Sequence, residues 1–544
     1  MSILNDIPIL SFILFSPLLG IVVLLALPHN RSNWMKKTVV VATLIPLVLS
    51  FWLYSEYDKQ QDGSVFDEQQ SWADIPLNKE TQAAVPSEFK FTLQYELGVD
   101  GLSLPLLLLT TIVAAMASLA VIQVKKRWKA FFIWFLLLEI GILGVFLARD
   151  LFLFFILFEI TLIAMYFLIG IWGYFNRERA ANQFLIYNGI GSAIMLIAFV
   201  ILVNTAGFRM DQIGDQVSFL YSGSYSNIFH NLADSGAWVN LAPEQMGTVN
   251  PFLMTHTMQW TLFILLLVAF GIKLPIFPFH TWMLKVHTEA PTAIVMVHSG
   301  LLLKMGAYGL LRFGLLLFPE QARAFAIPLA ALGVINLLYG ALLALRQQEF
   351  KLVLAYSSIS HMGIVLLGLA AMNEIGLQGA VFQLVSHGLV SALLFLVVGS
   401  IYERTGTTDL RELGGLARSM PFVSGVLLTA GLASLGLPGL SGFIGEFLSL
   451  LGLFESQRWL SVAAAVGIIL TAVYMLRAVL KITFGLQRED YTALKDARLI
   501  EAIPMIVLLA FIVLLGCFPS VLTDTTQLGI DGLLDQLLAT RAGG

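Results

Sequence analysis

Fourteen apolar runs of about 20 residues constrain this chain more than any other feature. They lie near 7–27, 37–54, 102–122, 130–148, 151–174, 183–205, 258–282, 290–314, 324–345, 352–371, 377–401, 420–452, 460–480 and 503–522. A helix of that length crosses about 30 Å of hydrocarbon, where every backbone polar group has to be satisfied internally. Composition agrees, since 58% of the 544 residues are hydrophobic and 12% are charged, with a mean hydropathy of +0.84. The expected fold is an all-α integral membrane protein of about 14 transmembrane helices. The first run follows Asp6 rather than a basic stretch and lacks a small-residue cleavage site, so it reads as a retained helix.

Alternate loops differ in charge. Those around 28–36, 123–129, 175–182, 283–289, 346–351, 402–419 and 477–502, with flanking residues, hold 20 Lys and Arg against 10 Asp and Glu. The opposite side, with both termini, holds 9 against 22. The positive-inside rule makes the first set cytoplasmic and places both termini outside a cell or inner membrane. Two long external segments, 55–101 and 206–257, are polar and rich in turn residues, and read as surface loops without a domain of their own.

Several chemistries are excluded. The only cysteine, Cys517, cannot form an internal disulfide, a thiolate zinc site or a ligated iron–sulfur cluster. The sequence has no GxGxxG, GxxxxGK[ST] or HExxH motif. No two His, Asp or Glu residues share a helix face within a span, and the seven-residue spacing of His280 and His287 makes a poor metal pair, so no metal site is expected.

Two runs carry internal breaks: Pro275 and Pro278 follow Lys273, and Pro438 and Gly439 precede Glu446. Broken helices in a bilayer are tolerated where they line a cavity or are buried in protein. Glu139, Glu159, Lys273, Lys304, His361 and His387 fall near mid-depth of different helices, with Glu446 displaced towards the outside. Each such charge costs roughly 2.5–3.5 kcal/mol at a helix centre, and a row of carboxylates, amines and imidazoles is able to carry protons. The alternatives are structural: an inert Lys273–Glu159 ion pair, a Lys304 amine capped by carbonyls, satisfied core histidines at 361 and 387, and a purely electrostatic Glu139. Lys285 and Lys351, at helix ends, read as snorkelling or topology-setting cations.

With these residues in hand, the chain resembles the antiporter-like subunit M (subunit 4) family of NADH-quinone oxidoreductase, the respiratory complex I. The resemblance spans nearly the whole length. It is carried by Gly98-Val99-Asp100-Gly101-Leu102-Ser103, Asp150-Leu151-Phe152-Leu153-Phe154 leading to Phe158-Glu159, and Lys273-Leu274-Pro275 with Phe279-His280-Thr281-Trp282. Further matches are His287-Thr288-Glu289-Ala290-Pro291-Thr292, Leu302-Leu303-Lys304-Met305-Gly306, Ser360-His361-Met362-Gly363, Ser386-His387-Gly388 and Gly445-Glu446-Phe447. The chain departs from the pattern in two places. Lys285 stands where the family usually has an acid near the cytoplasmic surface, and His298 stands where an apolar or small residue is expected.

The resemblance implies two inverted five-helix repeats, here 130–314 and 324–480, each a proton half-channel, after N-terminal helices in 1–129 and before a C-terminal helix and tail in 481–544. It also implies that Glu139, Glu159, Lys273, Lys304, His361, His387 and Glu446 carry protons. Redox catalysis and its quinone, flavin and iron–sulfur clusters would reside in partner subunits, with no cofactor in this chain. The partners implied are other membrane subunits, including related antiporter-like ones, and lipid, with no nucleic acid. The rival readings are a subunit of a multi-chain sodium/proton antiporter or membrane-bound hydrogenase, and a non-pumping structural subunit.

Overall fold

The computed structural model describes residues 8–28, 31–57, 66–77, 87–121, 124, 126–213, 216–242 and 249–542. Both chain ends, expected on the external side, and parts of the two long loops (58–65, 78–86, 214–215 and 243–248) lie outside the described residues.

Each expected span is helical. The helices are α1 (Ile9–Ala26), α2 (Ser32–Glu56), α3 (Ser103–Leu119), α4 (Trp128–Leu147), α5 (Leu151–Trp172), α6 (Arg177–Thr205), α7 (His256–Lys273) and α8 (Thr281–Glu289). They continue with α9 (Thr292–Leu315), α10 (Ala326–Arg346), α11 (Phe350–Ala370), α12 (Glu374–Thr405), α13 (Pro421–Ser434), α14 (Ser441–Ser456), α15 (Arg458–Phe484), α16 (Leu499–Cys517) and α17 (Ser520–Ala542). Among the described residues 12 helices are long and apolar enough to cross a membrane. The shorter α3 and the two limbs α13 and α14 fill the other two expected positions. The tail is more ordered than expected, because α17 follows the last span and packs against α12 and α3.

Capping sets several boundaries. Asp150 accepts from the Phe152 and Leu153 amides to start α5, Asn373 accepts from Gly376 N to start α12, and Gly406, at φ +73°, ends it. The centre of the bundle is α9 and α12, whose most apolar stretches are wholly buried, whereas those of α2, α15 and α16 are one-third buried and leave an apolar face to lipid. The two central helices carry Lys304 and His387.

The long loops correct the sequence reading. They are not merely surface loops: they meet in a four-stranded sheet of order β1-β2-β4-β3, with β1 Glu68–Pro76, β2 Ser87–Leu97, β3 Phe208–Ile213 and β4 Gln216–Ser222. The two hairpins are antiparallel and join through a parallel β2–β4 pairing of Ser87–Thr92 with Val217–Ser222. The membrane part remains all-α.

Both proposed breaks are present. The chain leaves α7 at Lys273 and re-enters helix at Thr281, and it leaves α13 at Ser434 and re-enters at Ser441. The first gap is closed by side chains from elsewhere. Trp282 Nε1 donates to Ile272 O (3.1 Å), and Asn336 of α10 accepts from Phe277 N (2.7 Å) while donating to Pro275 O (3.3 Å). Backbone groups freed by the prolines are thereby satisfied inside the protein.

Candidate functional site

Four of the seven expected residues form one connected chain. Lys304 Nζ donates to Ser299 O (2.6 Å) and lies 2.8 Å from His387 Nδ1. The His387 and His361 rings are 5.4 Å apart between centroids, and His361 Nδ1 is 3.5 Å from Glu446 Oε1. Lys304 is therefore neither free nor fully capped by carbonyls. It sits between two π-helical turns, His298–Leu302 and Leu310–Leu315, irregularities that recur at functional positions in helices.

The surroundings of the two histidines are polar. His361 Nε2 meets Ser434 Oγ at 3.2 Å and its Nδ1 meets Gln383 Nε2 at 3.2 Å. Ser357, Ser358, Ser386 and Ser391 complete the polar lining of a cavity of about 20 Å³, room for about one water. Glu446 lies on α14, the limb leading to the face that bears the sheet. Its carboxylate occupies space that only a glycine leaves: a Cβ on Gly436, whose φ is +78°, would stand 2.4 Å from Glu446 Oε2.

The first break is different. Lys273, the last residue of α7, is buried with its Nζ 4.8 Å from the Phe158 ring centroid and 5.4 Å from that of Phe184. Among the described residues the amine has no hydrogen-bond partner, and one Glu159 oxygen is likewise buried and unpartnered. Glu159 acts on Lys273 through space, without a direct ion pair among the described residues. Glu139 stands apart, both carboxyl oxygens buried without a partner.

Sequence reasoning passed over the residues that connect the two lysines. His287 Nε2 and His298 Nδ1 are 2.9 Å apart and both rings are fully buried. His298 packs against Phe184 (6.0 Å between centroids), the ring that also faces Lys273, and it precedes Ser299, whose carbonyl accepts from Lys304. The available signal was His298 itself, an imidazole at an apolar position. Contact with His287, 11 residues earlier, spans the helix break at Ala290-Pro291 between α8 and α9. Among the described residues no group of three or more His, Cys, Asp or Glu could hold a metal ion.

On the opposite, basic face, α8, α11 and α12 surround an open vestibule of about 700 Å³. Lys285 lines it together with Glu289 and Glu349, so the base at 285 does not leave this mouth without carboxylates. Lys351 forms part of its wall and is nearly buried, which is not the exposure of a snorkelling cation.

Comparison with known proteins follows the same lines. Residues 148–471 match the family Proton_antipo_M, described as "NADH:quinone oxidoreductase/Mrp antiporter, TM". NADH-quinone oxidoreductase subunit M of Rickettsia prowazekii is 34% identical over 536 residues, covering 97% of this chain and 99% of the relative. The subunit M of Rhodobacter capsulatus is 36% identical, covering 95% and 94%. NAD(P)H-quinone oxidoreductase chain 4 2 of Thermosynechococcus vestitus is 37% identical, covering 95% and 90%. Among solved structures, a chain of respiratory complex I from Thermus thermophilus aligns with a TM-score of 0.79 at 26% identity, covering 97% of this chain and 99% of that one. A chain of the Mrp complex from Dietzia sp. DQ12-45-1b shares the fold, at TM-score 0.77 and 19% identity, over 100% and 99% of the two chains. With more than half its residues inside the family and full-length relatives above 30% identity, the chain belongs to the subunit M family of NADH-quinone oxidoreductases.

Proposed function

We propose that this chain carries protons across the membrane for a complex-I-type NADH-quinone oxidoreductase, driven by redox chemistry in partner subunits that hold the flavin, iron–sulfur clusters and quinone. The observation that carries the reading is the run Lys304–His387–His361–Glu446, linked by contacts of 2.8 and 3.5 Å and by two tilted imidazole rings 5.4 Å apart, which joins the centre of the bundle to the limb leading outwards. Each member holds and releases a proton, and the water-sized cavity beside the imidazoles bridges what direct contact does not.

Protons are taken up on the basic, cytoplasmic face, reach the amines through His287 and His298, and leave by Glu446 on the external face that carries the sheet. Residues 130–314 form the intake half and 324–480 the release half, flanked by the segments 1–129 and 481–544. Glu159 sets the charge state of Lys273, because an amine with only ring faces around it responds strongly to the one nearby carboxylate. Glu139 adds a longer-range field. At a potential of about 150 mV an outward proton costs roughly 3.5 kcal/mol, which a change of about 2.5 units in the proton affinity of a buried group supplies.

The test is Lys273→Met and Glu159→Gln in the assembled complex. Each should abolish or sharply reduce proton uptake by vesicles while electron transfer from an artificial donor to quinone persists. Wild-type pumping by both, with assembly verified, would leave only the inert ion-pair reading.

A further inference from the structure

The relay uses His287, His298, His361 and His387 with the amines of Lys273 and Lys304, and leaves the buried Lys351 without a role. This lysine opens α11, is 7% exposed, and lies over two tyrosine rings, with Nζ 4.1 Å from the Tyr174 centroid and 4.9 Å from that of Tyr402. The two rings meet edge to face at 5.4 Å. The amine also donates to Thr288 O at 3.4 Å. Four segments converge there: the linker after α5 brings Tyr174, α8 brings Thr288, α11 brings the lysine, and α12 brings Tyr402. The linker is fastened to α8 by Tyr174 N donating to Glu289 O (2.7 Å) and Asn176 N donating to Glu289 Oε2 (2.9 Å).

Tyr174, Lys351 and Tyr402 all line the vestibule, together with the carboxylates Glu289 and Glu349. Thr288 is the residue after His287, whose Nδ1 is buried and unpartnered while its Nε2 faces His298. The carbonyl that holds the Lys351 amine thus belongs to the residue next to His287, whose ring packs on Phe395, seven residues before Tyr402 on α12.

We infer that Lys351, clamped between Tyr174 and Tyr402, is the gate between the vestibule and His287. A fixed cation repels an approaching hydronium, and the rings on which it rests exclude water. Glu289 and Glu349 are the carboxylates that act on the amine. A swing of the flexible lysine from the rings towards them opens a path for a proton to His287 Nδ1, with the Nε2 proton passing to His298 and no net change of charge on His287. The swing back closes it. The proposal rests on the relay reading above and adds the point at which intake is controlled.

The test compares Lys351→Met with Lys351→Arg in the complete complex reconstituted into vesicles, reading passive proton flux with a pH dye while turnover is inhibited. Lys351→Met should conduct protons several-fold faster than the wild type, and adding Lys304→Met should abolish the excess because the leak runs through the relay. Lys351→Arg, which keeps a cation on the rings, should restore the seal. Tyr402→Leu, which removes one ring and keeps the amine, should give an intermediate leak and covers the case in which the methionine variant does not assemble. A tight membrane with both assembled Lys351→Met and Tyr402→Leu, or a leak that Lys304→Met leaves unchanged, overturns the gate. Wild-type pumping by Lys273→Met would instead overturn the relay, so the two failures are distinguishable.

Discussion

The two broken helices place opposite charges in opposite surroundings. Lys273 ends the limb that enters from the sheet face and lies against Phe158 and Phe184, without a hydrogen-bond partner among the described residues. Glu446 starts on the limb that leaves towards the same face and lies against an imidazole beside serines, a glutamine and room for a water. Two ring faces give the amine only the modest attraction of a cation for a π-face, so its charge state depends on the nearby Glu159 carboxylate. The Glu446 carboxylate, by contrast, has a titratable neighbour 3.5 Å away in His361, and that imidazole in turn lines the polar, water-sized cavity. In the proposed relay the first break responds and the second delivers.

The largest effect is expected at the delivering end. Glu446→Gln should lower proton pumping by about 10²-fold or more, since an amide neither accepts the relayed proton nor releases it. Glu446→Asp, one methylene shorter, should retain partial pumping if a water fills the gap. Vesicle acidification by each assembled variant is the measurement. Wild-type pumping in both would make Glu446 a structural charge and erase the contrast between the breaks.

Next comes the glycine that makes room for that carboxylate. Gly436→Ala forces an L side chain into a left-handed conformation, costing roughly 1–2 kcal/mol, and drives its Cβ into Glu446 Oε2. The carboxylate must move, and pumping should drop about tenfold, with a lowered melting temperature of the complex. A Gly436→Ala complex that pumps normally would show that Glu446 does not need this position.

A smaller loss is expected at the imidazole pair proposed to link the two lysines. His298→Leu restores the apolar residue expected from the family and removes the partner of His287. If water partly substitutes for the imidazole, pumping should fall a few-fold rather than vanish. Unchanged pumping would mean the protons reach Lys304 without this pair.

The sequence carried the spans and the cost of buried charge, because hydrocarbon thickness and desolvation act on each helix separately. It did not carry the pairings. Lys304 with His387 is a contact between residues 83 apart on different helices, and nothing in either helix specifies it. The sheet was partly legible: Phe89, Phe91, Leu93, Tyr95 and Leu97 alternate strictly with polar residues along β2, the period of a half-buried strand. An acidic, turn-rich context hid that signal. The parallel pairing of β2 with β4, across 130 residues of sequence, had no local trace at all. The π-turns around Lys304 likewise follow from packing in the bundle centre and not from any residue type.

The smallest expected effect lies where the sheet meets the membrane helices, and it sharpens the contrast by supplying a titrating carboxyl that belongs to neither break. Asp150 caps α5 while being 1% exposed. Burial pushes its carboxyl up to about 7, with Glu96 adding to the rise against the opposing pull of the Leu153 and Phe152 amides. The unfolded chain loses this proton near 3.8, so between about pH 4 and about pH 7 the folded state alone retains it. The contribution to stability is complete below that window, is lost as pH rises through it at on the order of 1 kcal/mol per unit, and stays lost above it. Asp150→Asn keeps a capping oxygen but removes the titration. Protection of the Phe152 and Leu153 amides in the assembled complex, corrected for intrinsic exchange, should therefore decline from pH 5 to pH 8 in the wild type and stay level in the variant. Parallel declines in both would place the titrating group elsewhere, with Glu96, which burial also pushes up, as the next residue to replace.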